Sequence, residues 1–206
     1  MMITKKMKAV LACFSMLLLT SCSVDDGKDG ENGVGFDELT KFGVVKLTLT
    51  GVRPDEVPFS KTTAFKFTSV EGSDYNSSNS VQPSGSNLTF NILRYLSSPD
   101  DVFQESTVSF SLDVTDAGLA TQALDLNSFR IENFAVVGDD LKYFVLSDSY
   151  NTTSTSANFQ ISNYTFNDAT NELKFTFSFD VPASDNDSEH DMKVKGEVNV
   201  IVLEEI

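Results

Sequence analysis

The chain has 206 residues, with 30 aspartates and glutamates against 15 lysines and arginines, one histidine, two cysteines and no tryptophan. A formal charge of −15 excludes the basic face on which nucleic-acid binding depends, and so few histidines and cysteines leave no zinc site of the usual composition. A hydrophobic fraction of 40% is that of an ordinary soluble domain and too low for a multi-span membrane protein.

Residues 1–8 carry Lys5, Lys6 and Lys8 and no acid, and residues 9–19 read AVLACFSMLLL. A basic start followed by a short apolar run is the pattern of a secretory signal, and the run is too short to span a bilayer as a helix. Leu19-Thr20-Ser21-Cys22 follows where the apolar run ends. These four residues resemble the lipobox of bacterial lipoproteins: an aliphatic residue, two small ones, then the cysteine that is lipidated. The resemblance implies cleavage of residues 1–21 and a diacylglycerol thioether plus an N-acyl chain, such as palmitate, on Cys22. Several acyl chains anchor stably where one binds reversibly. Cleavage takes away three lysines and no acid, which moves the charge from −15 to −18. Cys13 leaves with the signal and the Cys22 thiol is consumed, so no disulfide is expected. The plainer alternative is a signal peptide with an incidental cysteine.

Residues 22–35 form the expected tether, CSVDDGKDGENGVG, with Gly27, Gly30 and Gly33 at period three. Three such triplets without proline are a collagen-like pattern too short for a triple helix, and a flexible polar spacer is the simpler reading. A lipid cysteine followed by acidic residues and a short GxxGxx tract resembles lipoproteins of the Bacteroidota. Ser23, Asp25, Asp26 and Asp29 match loosely, with Val24 and Gly27 interrupting the acidic run. The resemblance implies the outer membrane, with the domain displayed at the cell surface.

From residue 36 to residue 206 the pattern is that of one domain with period-two alternation. Leu173, Phe175, Phe177, Phe179 and Val181 alternate with Lys174, Thr176, Ser178 and Asp180, which is a strand with one face on a core. Further strands are predicted at 44–50, 63–68, 88–92, 107–114, 128–137, 141–147, 157–166 and 192–203, roughly nine in all. Alternation breaks at Ile201 and Leu203, where both faces become apolar. Short helical turns are predicted at Phe36–Gly43, with Gly43 past its end, and at Leu119–Leu124. Turn-rich polar segments lie at 71–87, 97–101, 147–156, 167–171 and 182–191, and Asn167–Asn171 reads as a tight hairpin turn. The fold class is therefore all-β, an antiparallel β-sandwich, with no internal repeat evident and two smaller sandwiches as the alternative. Ile161-Ser162-Asn163-Tyr164, the strand from Leu173 to Val181, the loop 183–191 and Val198-Asn199-Val200 resemble the last strands of flavobacterial lipoproteins. That resemblance implies a sandwich and no known activity.

The sharpest chemical feature is the loop 183–191, ASDNDSEHD. Asp185, Asp187, Glu189 and Asp191 are hard oxygen ligands of the kind that hold Ca²⁺, although the EF-hand spacing is not matched. A solvated hairpin loop explains the same residues more simply, so no cofactor is expected beyond a candidate calcium. The acid pairs Asp100-Asp101 and Asp139-Asp140 sit in turns and give no glycosidase geometry. His190 is the one histidine, and no Gly-x-Ser-x-Gly elbow accompanies it. Tyr75, Tyr95 and Tyr150 are candidates for exposed sugar-stacking rings, although core packing or isolated exposure explains each more simply. The expected function is a non-catalytic binding or structural module, not an enzyme, attached to the membrane by its lipid, with another envelope protein, a matrix component or a glycan as its partner. The alternative is a glycan-binding accessory lipoprotein of a nutrient-uptake system.

Overall fold

A computed structural model describes residues 40–68, 78–97, 105–151 and 156–206, all within one compact unit, Gly35–Ile206. Eleven strands follow in chain order: β1 (Gly43–Val52), β2 (Pro58–Phe65), β3 (Ser80–Ser84), β4 (Asn87–Tyr95), β5 (Thr107–Thr115), β6 (Ala123–Val137), β7 (Tyr143–Tyr150), β8 (Ala157–Asn167), β9 (Glu172–Val181), β10 (Met192–Ile201) and β11 (Leu203–Glu204). They form a five-stranded sheet, β2-β1-β10-β9-β8, and a six-stranded sheet, β11-β3-β4-β5-β6-β7. The sandwich expected from the alternation is therefore present, with two more strands than counted from sequence.

The differences have local causes. β3 lies inside the polar segment 71–87, where Pro83 and flanking serines mask a strand that pairs with Asn87–Asn91 of β4. Residues 119–124 do not form a helix. Leu119 and Gln122 donate three-residue turn bonds to Asp116 and Leu119, and β6 takes over at Ala123, where Leu124 and Leu126 pair with Val114 and Leu112. β7 runs on to Tyr150, through part of the segment read as a turn. Thr40 is helical and Gly43 has φ +85°, as a residue closing a helical turn requires; Phe36–Leu39 lie outside the described residues. The Asn167–Asn171 turn is present, with Asn171 at φ 53° and Phe166 opposite Leu173.

Ring contacts show how the sheets cross. Along the β8–β9 hairpin, Phe166 meets Phe90 of β4, Phe175 meets Phe110 of β5, Phe177 meets Phe129 of β6, and Phe179 meets Tyr150 of β7. One hairpin thus passes over four strands of the other sheet in turn, so the strands cross steeply. Such packing needs corners where a strand changes sheet. β10 and β11 make one: Val202 is buried between them, and Leu203 donates to Asn79 O at 2.9 Å. This is the physical meaning of the lost alternation at Ile201 and Leu203. A second corner follows β2, where Phe67 bridges to Tyr95.

Two strands bend by a shared device. β6 has extra residues opposite Phe110 and Ser147, and β8 has them opposite Phe179 and Phe175. Each bulge places a non-glycine residue at positive φ: Ser128, Asn133, Asn158 and Asn163. Ser128-Phe129-Arg130-Ile131-Glu132-Asn133-Phe134 and Asn158-Phe159-Gln160-Ile161-Ser162-Asn163-Tyr164 share Phe, Ile and Asn at equal spacing. A short pattern therefore does recur, and it encodes two bulges five residues apart in each strand. Each bulge shifts the alternation by one residue, so Leu126, Phe129, Ile131, Phe134 and Val136 all reach the core.

The described core contains no cysteine, and valine and phenylalanine are its commonest residues. Phe110, Phe129, Phe175, Phe177 and Phe179 form one contiguous group of rings. Burying such a side chain contributes roughly 1.5–3 kcal/mol, and edge-to-face pairs add about 0.5–1.5 kcal/mol each. Among the described residues, two charged side chains are buried, Arg53 and, with no exposure at all, Arg94. Arg94 donates to Phe42 O and Asn79 Oδ1 at 2.7 Å and to Leu93 O at 2.8 Å. Burial lowers its pKa to about 9, so the guanidinium is still charged at neutral pH, held by carbonyl dipoles.

Candidate functional site

The β9–β10 loop, Pro182–Asp191, winds around its neutral residues. Asn186 Nδ2 donates to Pro182 O at 2.8 Å and His190 O at 3.0 Å, and Asn186 Oδ1 accepts from Ser188 N–H and Ser188 Oγ. Asn186 and Ser188 are buried, which turns the alternating acids outward: Asp187, Glu189 and Asp191 are exposed and Asp185 is half-buried. A short 3-10 turn at Ala183–Asp185 opens the loop. The acids take separate partners. Asp185 accepts from Ser184 Oγ, Asp191 from Ala183 N–H and Asp187 from Ser147 N–H. Among the described residues no group of three or more His, Cys, Asp or Glu side chains is placed to hold a metal ion. His190 Nε2 lies 3.8 Å from Glu56 Oε1.

The loop's firmest external tie is to β7. Asp187 accepts from Ser147 N–H at 2.8 Å, and Asp187 N–H donates to Asp148 Oδ2 at 2.9 Å. Tyr150 donates its hydroxyl to the same Asp148 oxygen at 3.2 Å. Burial pushes the Asp148 carboxyl and the Tyr150 hydroxyl up from their ordinary pKa values. Tyr150, a candidate surface ring from sequence, is a core residue packed on Phe129 and Phe179.

A second tie joins the sheets at the other end of β7. Arg53, just after β1, is almost wholly buried. Its guanidinium donates to both oxygens of Asp140, in the β6–β7 turn, and to both oxygens of Asp55. Lys142 Nζ lies 3.3 Å from Asp55 Oδ2. The hydrogen bonds from Arg53 hold both carboxyls below the usual range, and the same hydrogen bonds, to Asp140 first and then Asp55, raise Arg53 in turn. Asp139-Asp140 sits in a turn, as its sequence implies. Asp140 is also an ion-pair partner 87 residues from Arg53, a relation with no local sequence signal.

Between these ties β7 is an end strand of its sheet, paired with β6 and with no other strand among the described residues. Gly138 N–H donates to Lys142 O, which sets the even residues of β7 toward β6 and points the N–H and C=O of Tyr143, Val145 and Ser147 to the free side. Asp187 occupies Ser147; Tyr143 and Val145 have no strand beside them among the described residues. The outward side chains are apolar, with Leu141 87%, Tyr143 68%, Val137 48% and Val145 44% exposed. Val137 and Tyr143 are directly opposite across the hairpin. An open groove of about 440 Å³ runs between Arg53–Asp55 and Leu141–Phe144.

The outer face of the six-stranded sheet carries a different surface. Gln82, Asn91, Leu93, Ser109, Ser111 and Glu132 line a shallow groove of about 610 Å³. Tyr95 follows Asn91 and Leu93 on that face and is half-buried. Cys22, Tyr75, Asp100 and Asp101 lie outside the described residues. No described helix is long and apolar enough to cross a membrane. No family model, no curated protein and no solved structure matches the chain.

Proposed function

We propose that the chain is an outer-membrane lipoprotein, anchored through Cys22 and displayed at the cell surface, whose sandwich is a non-catalytic module that binds another envelope protein. The lipobox-like Leu19–Cys22 supports the anchor. The apolar row Val137, Leu141, Tyr143 and Val145 on the β6–β7 hairpin carries the binding role, because a contiguous apolar surface rimmed by charges is the mark of a protein contact. Labelled palmitate should enter the wild-type chain and not C22A, and protease added to intact cells should digest the domain. Pull-down from detergent-solubilised envelopes should lose its partner in a V137D/L141D variant. Equal recovery with that variant would remove the hairpin from the binding surface.

The polar groove on the six-stranded sheet favours a second reading, a glycan-binding accessory protein of a nutrient-uptake system. Half-buried amide and hydroxyl groups around Asn91 are suited to sugar hydroxyls. Binding on a glycan array, lost in N91A, would support it; silence across plant and algal polysaccharides would end it.

A further inference from the structure

The other sheet edges carry features that discourage strand addition. β8 is broken by two bulges with Asn158 and Asn163 at positive φ, β11 has two residues, and β2 opens with Pro58 and presents Lys61. β7 has none of these along Tyr143–Val145. Its only described cap is Asp187, which takes the N–H of Ser147 and ends the free stretch there. At its start the hairpin places Leu141 at φ 62° and almost fully in solvent. A left-handed conformation suits glycine or asparagine, so an exposed leucine there is unfavourable on grounds of folding alone. The feature at the hairpin tip and the free edge beside it adjoin one groove.

The geometry points to strand addition at β7: an extended segment of a partner protein pairs with the N–H and C=O groups of Tyr143 and Val145, with its apolar side chains against Tyr143 and Val145. This rests on the binding-module reading and names its site. Charge selects the occupant. Arg53 and Lys142 pair with Asp55 and Asp140, which leaves Asp187 on Ser147, Glu56 beside the half-exposed His190, and the neighbouring Asp139 and Glu189 as the acids of this end of the sandwich. The segment therefore alternates apolar with basic residues, its backbone giving affinity and its lysines or arginines meeting the acids. A second copy of this chain would set like charges together.

The test uses the full chain in detergent and a labelled eight-residue peptide of alternating valine and lysine, read by fluorescence anisotropy. A valine–glutamate peptide and a valine–lysine peptide N-methylated on its pairing edge are the comparisons. Both should bind at least about tenfold more weakly than the parent peptide. V145P removes an N–H that points away from β6, and it should weaken binding about as much while leaving the melting temperature nearly unchanged. Should V145P unfold, Y143K/V145K decides, since it keeps the backbone and repels the peptide. Equal binding of the N-methylated peptide, or undiminished binding by the folded edge variants, overturns strand addition. A wild-type dimer in sedimentation that V145K makes monomeric overturns the choice of occupant. Capture of an envelope partner by V145P as strongly as by wild type overturns the edge as the site and leaves the binding-module reading standing.

Discussion

Arg53 holds Asp140 by two parallel hydrogen bonds, 2.7 Å from Nη1 to Oδ1 and 2.6 Å from Nη2 to Oδ2. The pair fastens the connection after β1, in one sheet, to the β6–β7 turn of the other. Gly138 is required beside it, since a Cβ there would stand 2.1 Å from Arg53 Nη1. The same guanidinium takes Asp55, so one buried cation positions two turns and the groove between them.

Acid should loosen this junction. Asp140 and Asp55 titrate below their ordinary range in the folded chain because Arg53 donates to them. The unfolded chain then binds protons at higher pH than the folded one. Their contribution is complete above the ordinary carboxylate value of about 4 and is lost as pH falls through the depressed folded values. Asp148, raised by burial, works in the opposite sense: it favours the fold below its raised value and loses that contribution as pH rises through it. Thermal melts of D140N from pH 7 to pH 2 should show a lower melting temperature at pH 7 and a shallower fall in acid than wild type.

Replacing Arg94 by methionine keeps the volume and deletes the donors. Phe42 O, Leu93 O and Asn79 Oδ1 each lose one. Phe42 O keeps the Ile201 N–H at 2.9 Å, while Asn79 Oδ1 and Leu93 O lose a charged donor, which should lower stability by about 3 kcal/mol, seen as a fall of roughly 10 °C in melting temperature. An unchanged melt would show that the hydrogen bonds from Arg94 contribute nothing net to the fold.

Gly196 of β10 faces the core under the Phe177 ring, where an added Cβ would lie 2.1 Å from the ring. That ring is locked among Phe110, Phe129, Phe175 and Phe179. G196A should destabilise by about 2–3 kcal/mol through overpacking, measured by urea denaturation.

Leu141 should show the reverse. L141G relieves the left-handed strain and should stabilise the chain by about 1 kcal/mol. It should also reduce partner capture in the envelope pull-down, so stability and binding move in opposite directions. A variant that gains neither stability nor loses capture would leave the leucine unexplained.

Calcium should leave the melting temperature unchanged. The acids of the β9–β10 loop point outward and three of them already accept hydrogen bonds. Heat in a Ca²⁺ titration, abolished by D185N/D187N, would show that the loop rearranges around the ion.

The sequence by itself determined most of the strands and their inward faces. Phe175, Phe177 and Phe179 alternate with polar residues because a strand with one wet face requires it, and that period is local. The double bulges were also written locally, in the repeated Phe-x-Ile-x-Asn spacing, though their meaning emerges only beside β5, β7 and β9. Tertiary structure alone decided the rest. Tyr150 lies in polar sequence and is buried because β7 ends over Phe179 of β9. The acids at 185–191 look convergent in one dimension and diverge in three, since Asn186 and Ser188 take the inside of the turn. Arg53 meets Asp140, and Asp187 meets Ser147, only because two sheets cross steeply and bring the β1–β2 and β9–β10 connections to the two ends of one edge strand. Local period fixes which way a side chain faces; which strand is left without a neighbour depends on the order of the whole sheet.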